Sequence, residues 1–503
     1  MKLRIAVLIL ACLFIIPMIA ACGSTTDTPT KETTKETVPG SSGNETGPSG
    51  SGETESETEI WYEPELGGET PFEGKTFTFF AFTDDTSYYW NDTDFTAEGI
   101  NGDSLNDAVF ERNKYVEEKS GATLIIAHAG INNEYSALTN SVSSGEDAFQ
   151  AADLNTLAMF STATNEYLAE LNDLGTIQLD APWWDQNCQS QMSILGQTYG
   201  LYGDIGVMYM RTFGIVMFNK KLVADHLDGI DLYEVQDNKE WTIEYMTDLV
   251  STISEDLDGD DKMTEADLFG MVYQGDMMPV AMICAGVEFA TKNQEDVPEI
   301  NFKNEHTLDT IDLLADLMYD TNCARCSSAS NPPPFDHHNA FQNDHAIFDV
   351  TEIHAVIDAR PMETNFGVLC MPLFDEYQAN YLTCINPHVA ATLVVPNSIQ
   401  EPDFVGTMLD LLSATGKNYM SEAFYDITLQ GKSVRDEQSK ATLDLCIASV
   451  RYDLGYVADW GVSAVMRQMC DTRSKDFASR YDTNISSFNY NLEKTLDAFR
   501  KMQ

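Results

Sequence analysis

A strand, a helix and a second strand follow one another where the foldable part of the chain begins, and this order constrains the architecture most. The run 76–82 is rich in aromatic and β-branched residues, which is typical of a buried strand. Residues 104–119 carry apolar side chains at helical spacing, Gly121 is a stop signal, and 122–127 is again strand-like. The sequence therefore predicts a parallel α/β sheet.

The length of the chain predicts more than one folded core. Strand-like and helical runs keep alternating along the sequence, and the last hundred residues look mainly helical. About 430 residues follow the polar amino-terminal tract, which is too many for one hydrophobic core. We therefore predict two lobes.

The first residues have the pattern of a secretory signal. Lys2 and Arg4 precede the apolar run 5–16, and the small residues 19–21 lead into Cys22, which resembles a bacterial lipobox. The run is shorter than the ~20 residues of a membrane span. We predict a signal peptide at 1–21, a lipid on Cys22 and a location on the extracellular face of the cell membrane. An ordinary cleaved signal and a transmembrane anchor are the alternatives.

Composition limits the partners. Residues 22–72 contain mostly Thr, Ser, Gly, Glu and Pro, so we predict a flexible tether that follows the lipidated residue. The formal net charge of −51 repels nucleic acid and anionic lipid surfaces. We expect a monomer that binds no nucleic acid and touches the membrane through its lipid alone.

Two groups of residues of metal-binding types are not predicted to bind a metal. Cys323 and Cys326 are closely spaced, but a single CxxC predicts a local disulfide or two free thiols. Histidines cluster between residues 337 and 354, as a transition-metal receptor could require, but no HExxH motif accompanies them. We predict that they are surface and loop histidines: His337, His338, His345 and His354.

Residues 256–267 have the oxygen spacing of a calcium-binding loop. The predicted ligands are Asp256, Asp258, Asp260, the carbonyl of Lys262, Thr264 and Asp267. Asp261 replaces the usual glycine, and the short side chain of Asp267 makes bidentate ligation harder. We predict a structural calcium ion, with a solvated acidic turn as the alternative, and no organic cofactor.

Segments spread over the chain after residue 70 point to one family. They are 106–113, 116–119, 168–174, 181–185, 196–199, 218–222, 241–244, 366–372, 375–378 and 435–437. Their order and spacing resemble the family 1 extracellular solute-binding proteins of bacteria, especially carbohydrate-binding lipoproteins. This resemblance implies a type II periplasmic-binding-protein-like fold, with two α/β lobes, a hinge, an interlobe cleft and a helical C-terminal region.

The resemblance also implies boundaries and a function. Lobe 1 would comprise 73–203 and 339–378, and lobe 2 would comprise 204–338 and 379–503, with crossings near 202–204, 339 and 375–381. The chain would capture a carbohydrate, an oligosaccharide, by hinge closure and deliver it to the permease subunits of an ABC importer. It would not be an enzyme, since no GxSxG, HExxH or phosphate-binding motif is present. A glycan-acting enzyme, an adhesin and a receptor for another solute, such as a peptide, are the alternatives.

The predicted ligand contacts combine the resemblance with the chemistry of sugars, which offer C–H faces to aromatic rings and hydroxyls to carboxylates and amides. Any one of the aromatic residues could equally be a packing residue. We read Trp183 and Trp184 as structural. The predicted contacts are Asp85, Trp90, Asn155, Thr156, Asp204, Tyr273, Gln274, Asp276, Thr351, Glu352 and Trp460.

Overall fold

The structure is a computed structural model that describes residues 60–82, 93–128, 133–320, 322–328, 336–429 and 437–503. Ile60–Gln503 forms one compact unit. The predicted signal peptide, Cys22 and most of the predicted tether lie outside the described residues. Among the residues described, no helix combines the length and the apolar composition that a membrane span requires.

The strands are short and distributed over the whole described chain. In chain order they are Thr76–Ala81 (β1), Thr123–His128 (β2), Ala151–Asn155 (β3), Gly214–Asn219 (β4), Ser254–Glu255 (β5), Leu268–Tyr273 (β6), Thr291–Lys292 (β7), Pro298–Glu299 (β8), Ala324–Cys326 (β9), Ala346–Glu352 (β10), Phe366–Cys370 (β11), Thr383–Cys384 (β12), Ala391–Val394 (β13) and Val450–Arg451 (β14).

Helices separate most of the strands and dominate the end of the chain. They are Ser104–Ser120 (α1), Glu134–Ser144 (α2), Thr156–Thr164 (α3), Gln186–Met192 (α4), Lys220–His226 (α5), Leu232–Asp237 (α6), Ile243–Val250 (α7), Met277–Cys284 (α8), Glu305–Met318 (α9), His337–Gln342 (α10), His354–Asp358 (α11), Pro402–Leu429 (α12), Glu437–Ala448 (α13), Leu454–Val457 (α14), Val462–Thr472 (α15) and Phe477–Met502 (α16).

The first sheet has the strand order β13-β3-β1-β2. Strands β1, β2 and β3 are parallel, and β13 is antiparallel to β3. Helix α1 connects β1 to β2, as predicted. Asp103 caps its first turn by accepting from the backbone N–H of Asn106, and Gly121 ends it in the left-handed conformation, with φ of 74°.

The second sheet has the order β11-β4-β10-β6-β5, and β9 also pairs with β6. Its central pair β10 and β6 is parallel, whereas β4 is antiparallel to both β10 and β11. The predicted strands 214–219, 346–350 and 366–371 all exist. The chain thus has two larger sheets whose strands alternate with helices along the sequence, in agreement with the predicted α/β fold class.

Strand pairing corrects the predicted assignment of two segments. β10 and β11 lie in the second sheet, although 339–378 was assigned to lobe 1. β13 lies in the first sheet, and α12 packs against α1, although 379–503 was assigned to lobe 2. The chain therefore returns to the first sheet between β12 and β13 rather than near residue 339. The physical reason is that an apolar run identifies a strand but not the strand that it pairs with.

The predicted tether is too long at its carboxyl end. The backbone N–H of Tyr62 donates to Asn418 Oδ1 at 2.9 Å, and Asn418 Nδ2 donates to the carbonyl of Tyr62 at 2.6 Å. The ring of Trp61 contacts those of Tyr115 and Tyr419, each with centroids 5.5 Å apart. Residues from about 60 onward therefore pack on α1 and α12, because the aromatic residues there can bury apolar surface.

Cys323 and Cys326 are thiols rather than a local disulfide, which was one of the two predicted alternatives. Both are buried, and Cys326 lies in β9 at the edge of the second sheet.

Candidate functional site

The candidate site lies where the chain passes from the second sheet to the first. β6 and β10 are parallel, so their carboxyl ends, Tyr273 and Glu352, meet at the same edge of the second sheet. The connection from β12 to β13 passes this edge, since the backbone N–H of Asn386 donates to the carbonyl of Thr212 just before β4. Ligands of open α/β sheets bind outside the carboxyl ends of the strands, where the topology switches.

Five buried polar residues lie at the ends of β6 and β10 or on the segments that pass them, and we name them the crossing cluster: Asp276, Thr351, Glu352, Asn386 and Tyr456. The amide of Asn386 joins two of them, since its Nδ2 donates to Glu352 Oε1 at 2.7 Å and to Asp276 Oδ2 at 3.4 Å. All five side chains are buried. One amide group thus donates hydrogen bonds to two acidic side chains, and the bulk solvent does not reach them.

Three atoms of the crossing cluster have no hydrogen-bond partner within the described part of the chain. They are Thr351 Oγ1, Glu352 Oε2 and Tyr456 Oη, and each is buried. A buried polar atom without a partner costs about 1–3 kcal/mol. Buried polar groups in native proteins are almost always satisfied. These two hydroxyls and one carboxylate oxygen make the crossing cluster the candidate site for a polar solute.

The surroundings of Glu352 shift its pKa, so its ionisation depends on the groups that contact it. Burial raises the pKa of Glu352 to about 7, and the charge of Asp276 adds to the rise, while the hydrogen bond from Asn386 opposes it. His354 lies next to it, with Nδ1 3.6 Å from Glu352 Oε2. Hydroxyl donors from a solute would stabilise the ionised carboxylate in place of water.

The crossing segment is also bound to the first sheet. Asn155, at the carboxyl end of β3, donates from Nδ2 to the carbonyl of His388 at 3.1 Å. Its Oδ1 accepts from the backbone N–H of Leu157 and so caps α3. The predicted ligand residue Asn155 therefore lies beside the crossing, on the side of the first sheet.

Stacked tyrosine rings accompany the other crossing, between Leu201 and β4. The rings of Tyr202 and Tyr209 have centroids 4.9 Å apart, and those of Tyr202 and Tyr452 are 5.3 Å apart. Tyr452 donates from Oη to Asp185 Oδ2 at 2.6 Å. The stack joins the connection at Tyr202 and Tyr209 to Tyr452, far along the chain, and so restrains the connection between the sheets.

The structure corrects three of the predicted ligand contacts. Tyr273 is fully buried, and its hydroxyl donates to the carbonyl of Met318. Trp460 is buried, and its Nε1 donates to Thr495 Oγ1 at 3.1 Å. Thr156 is fully buried, and its hydroxyl bonds to those of Tyr202 and Thr392. These side chains are packing residues because their polar atoms are already paired inside the fold.

The remaining predicted contacts divide into three groups. Asp276 and Glu352 come together on the amide of Asn386, Thr351 precedes Glu352 in β10, and Gln274 is half-buried two residues before Asp276. Asp204 instead pairs with Lys417 at 3.1 Å, and burial raises the pKa of its carboxyl to about 6. Asp85 and Trp90 lie outside the described residues.

Sequence reasoning missed Asn386 and Tyr456. Asn386 follows a strand of two residues, and Tyr456 belongs to a helix of four, so neither carried a periodic pattern. The only available signal was the segment 386–388, Asn-Pro-His, immediately before a predicted strand. Tyr456 had no sequence signal, because its position depends on the fold of the last helical region.

Two of the four clustered histidines are buried, which corrects the prediction of surface and loop histidines for His337 and His354, whereas His345 is half-buried in a loop as predicted. His337 and His354 are buried, and the side chain of His338 is 25% exposed. Asp349 accepts from His337 Nδ1 at 2.8 Å and from His338 Nδ1 at 3.0 Å. Burial disfavours the charge on Asp349, but both histidines outweigh that effect and hold its pKa well below the ordinary value.

The acidic loop brings three of its predicted calcium ligands together. Carboxylate oxygens of Asp256, Asp258 and Asp260 lie within 4.8 Å of one another. Asp261 adopts the left-handed conformation, with φ of 62°, as its position in the loop requires. Asp267 is buried and accepts from the backbone N–H groups of Leu257 and Thr264, so it closes the loop on itself.

Two cavities lie beside the β12–β14 pair. One has a volume of about 500 Å³ and the other of about 560 Å³. Both are lined by Gln191, Leu382 and Arg451. Neither contains a member of the crossing cluster.

Comparison with known proteins finds similarity in the fold but not in the sequence. No family model and no curated protein matches the chain. A cyclo/maltodextrin-binding protein complexed with maltotetraose has a TM-score of 0.54 at 10% identity, covering 86% of this chain and 99% of its own. An ABC transporter solute-binding protein from Thermotoga lettingae, bound with α-D-tagatose, has a TM-score of 0.51 at 13% identity, covering 84% of this chain and 100% of its own.

A third solved structure agrees with these two. An ABC substrate-binding protein from Listeria monocytogenes, in complex with cycloalternan, has a TM-score of 0.50 at 12% identity and covers 84% of this chain and 99% of its own. The matches span nearly the whole length of each binding protein, so they include both sheets and the crossings between them. The described part of the chain therefore has the type II periplasmic-binding-protein-like fold, the fold of ABC solute-binding proteins.

Proposed function

We propose that this chain is the solute-binding component of an ABC importer and that it captures a carbohydrate, an oligosaccharide, by hinge closure. The single observation that carries the proposal is the crossing cluster, where Thr351, Glu352 and Tyr456 have polar atoms with no hydrogen-bond partner among the described residues. Sugars supply many hydroxyls that can pair with such atoms. Three structures of the same fold contain cycloalternan, maltotetraose and α-D-tagatose, which supports a saccharide ligand.

The mechanism follows from where the cluster lies. Glu352 belongs to the second sheet, whereas Asn155 belongs to the first sheet and is tied to the crossing segment at His388. A solute that bonds to both sides favours the closed arrangement of the two lobes, which the permease would distinguish from the open one. Shifting the ratio of open to closed forms from 1:99 to 99:1 requires about 5.5 kcal/mol. Hydrogen bonds to charged groups contribute about 1.5–3 kcal/mol each, so two to four suffice.

The experiment is a thermal-shift and calorimetric screen of the purified protein against mono- and oligosaccharides. Maltotetraose, cyclic glucans and tagatose come first, followed by amino acids and peptides. We expect a saccharide to raise the melting temperature and Glu352→Gln to weaken its binding by about tenfold, or about 1.4 kcal/mol. Glu376, an exposed acid, provides the matched control, and Glu376→Gln should bind like the wild type.

Other results would contradict the proposal. If peptides raised the melting temperature and no saccharide did, the ligand would be a peptide and not a carbohydrate. Hydrolysis of glycans by the purified protein would support the alternative of a surface enzyme. Binding to insoluble glycan without any effect of Glu352→Gln would support an adhesin.

A lipid anchor on Cys22 is part of this proposal. The segment 19–22 and the charge and length of the preceding run support it. Radiolabelled palmitate should be incorporated into the wild-type protein in a bacterial host and not into Cys22→Ala. Release of Cys22→Ala into the medium would agree with anchoring at the extracellular face, whereas retention on the cell would contradict it.

A structural calcium ion in the loop 256–267 is a further part of the proposal. Asp256, Asp258 and Asp260 converge, and the carbonyl of Lys262 would complete one side of an oxygen shell. The ion would offset the repulsion among these exposed carboxylates, whereas Asp267 serves the loop backbone. Calcium should raise the melting temperature of the wild type and leave that of Asp258→Asn almost unchanged. An identical melting temperature in calcium and in excess chelator would exclude the ion.

A further inference from the structure

Two adjacent histidines and one aspartate form a compact group of metal-binding atoms outside the crossing cluster. His337 and His338 open α10, and Asp349 lies in β10. One oxygen of Asp349 is 2.8 Å from His337 Nδ1, and the other is 3.0 Å from His338 Nδ1. One ligand atom from each residue lies within 4.8 Å of those of the other two. A single ion can therefore reach two nitrogens and a carboxylate.

The backbone holds these three residues in place without a metal. β10 is paired on both sides, with β4 and with β6, so Asp349 sits on a central strand. Asp336 caps α10 by accepting from the backbone N–H of Asn339 at 3.0 Å, which orients the first turn that carries both histidines. A preformed site of this kind loses little conformational entropy when an ion binds.

The types of ligand favour a borderline transition metal over calcium. Two imidazole nitrogens and one carboxylate suit Zn²⁺, whereas Ca²⁺ requires six to eight oxygens. Asp349 and His337 are buried, but the side chain of His338 is 25% exposed, so it gives the ion a route from solvent. Three protein ligands leave one position of a tetrahedral zinc ion for water.

Neighbouring groups provide an outer layer around these ligands. The rings of His338 and His354 meet edge to face, with centroids 5.4 Å apart. His354 Nδ1 lies 3.6 Å from Glu352 Oε2. Outer groups of this kind orient ligating histidines and tune the affinity for the metal. They also place the metal-binding group next to the crossing cluster.

We propose that His337, His338 and Asp349 bind a divalent transition-metal ion of the Zn²⁺ class through the two Nδ1 atoms and the Asp349 carboxylate. In the metal-free protein both Nδ1–H groups donate to Asp349. In the loaded protein each imidazole carries its proton on Nε2 and its Nδ1 lone pair faces the ion. The inference does not depend on the identity of the solute.

The test is isothermal titration of the chelator-treated, dialysed protein with ZnCl₂. We expect one ion per chain and a loss of affinity of at least about tenfold in His338→Gln. His226, exposed at the end of α5, provides the matched control, and His226→Gln should bind like the wild type. Asp258→Asn, in the acidic loop, should also retain the Zn²⁺ site.

A spectroscopic readout separates ligation from a folding defect. Co²⁺ bound by nitrogen and oxygen ligands gives a visible absorption band, which should be present in the wild type and lost in His338→Gln. Circular dichroism of the metal-free proteins checks that the wild type and His338→Gln are folded. If His338→Gln is not folded, His337→Gln takes its place. Equal Zn²⁺ affinity in the wild type and the folded variant, or no Zn²⁺ binding by the wild type, would overturn the proposal.

Discussion

Asn155 donates its side-chain amide to the backbone carbonyl of His388, and this 3.1 Å bond ties the end of a strand in the first sheet to the segment that arrives from the second. The same side chain caps α3 through its oxygen. Because the two roles use different atoms, they can be separated by mutation. The bond restrains the connection about which the sheets would move relative to each other.

Asn155→Ser should loosen the crossing without uncapping the helix. Serine is a good cap residue but is too short to reach His388, so the expected loss of stability is below about 1 kcal/mol. Asn155→Ala removes both interactions and should cost about 1 kcal/mol more. Solute affinity should fall by a similar factor in both variants, and titration calorimetry with denaturant unfolding checks this. An unchanged affinity in Asn155→Ser would mean that the bond does not restrain the crossing.

Tyr456→Phe should separate stability from solute binding. The Tyr456 hydroxyl is buried and has no partner within the described residues, so its removal should stabilise the solute-free protein by about 1 kcal/mol. If a solute hydroxyl pairs with it, affinity should fall by about five- to tenfold. Thermal unfolding and calorimetry measure the two effects. Lower stability together with unchanged affinity would assign the hydroxyl a structural role.

More of the fold than of the candidate site could be predicted from the sequence. The periodicity of α1 and the apolar runs of β1, β2 and β4 are local signals, and the structure has these elements within one or two residues of the prediction. Strand partners are not local, so β10 and β13 were assigned to the wrong sheets. A lone apolar run contains no information about its neighbours.

The same reasoning explains the outcome at the site. Thr351 and Glu352 could be predicted, because polar residues at the end of a buried strand lie at a sheet edge. Tyr273 and Trp460 were misassigned, since an aromatic residue near a loop has the same sequence pattern whether it packs or binds. Asn386 and Tyr456 depend on tertiary structure alone. The histidine cluster was misjudged because its carboxylate partner lies 11 residues beyond His338 in another element.

Asp410→Ala, in α12, should be strongly destabilising. Its Oδ1 accepts from Trp183 Nε1 at 3.0 Å and from Trp184 Nε1 at 2.8 Å, and its Oδ2 accepts from the backbone N–H of Gln178 at 2.8 Å. Removing the carboxylate leaves two buried indole N–H groups and one partly buried backbone N–H without this acceptor, at a cost of about 3 kcal/mol. Urea unfolding measures the loss. The exposed Glu422 on the same helix gives the control Glu422→Ala, which should change stability by less than about 0.5 kcal/mol.

Asp453 should make the stability of the protein fall as the pH rises from about 4 to about 7. Burial raises the pKa of its carboxyl to about 7, although the backbone N–H groups of Phe289 and Gly455 donate to it and oppose the rise. In the unfolded chain the pKa returns to about 3.9. Within this window the folded protein holds a proton that the unfolded chain has released. The contribution of Asp453 to the free energy of unfolding therefore decreases by up to about 1.4 kcal/mol per pH unit and levels off above pH 7.

The variant Asp453→Asn isolates this contribution from the general repulsion of so acidic a chain. Its amide does not titrate, so the wild type should lose stability relative to Asp453→Asn as the pH is raised from 4 to 7. Urea unfolding at half-unit steps of pH measures the difference. Asp309, exposed on α9, gives the control Asp309→Asn, whose difference from the wild type should vary far less with pH. A difference between the wild type and Asp453→Asn that stays constant over this range would mean that Asp453 is ionised in the folded protein, with Phe289 and Gly455 outweighing its burial.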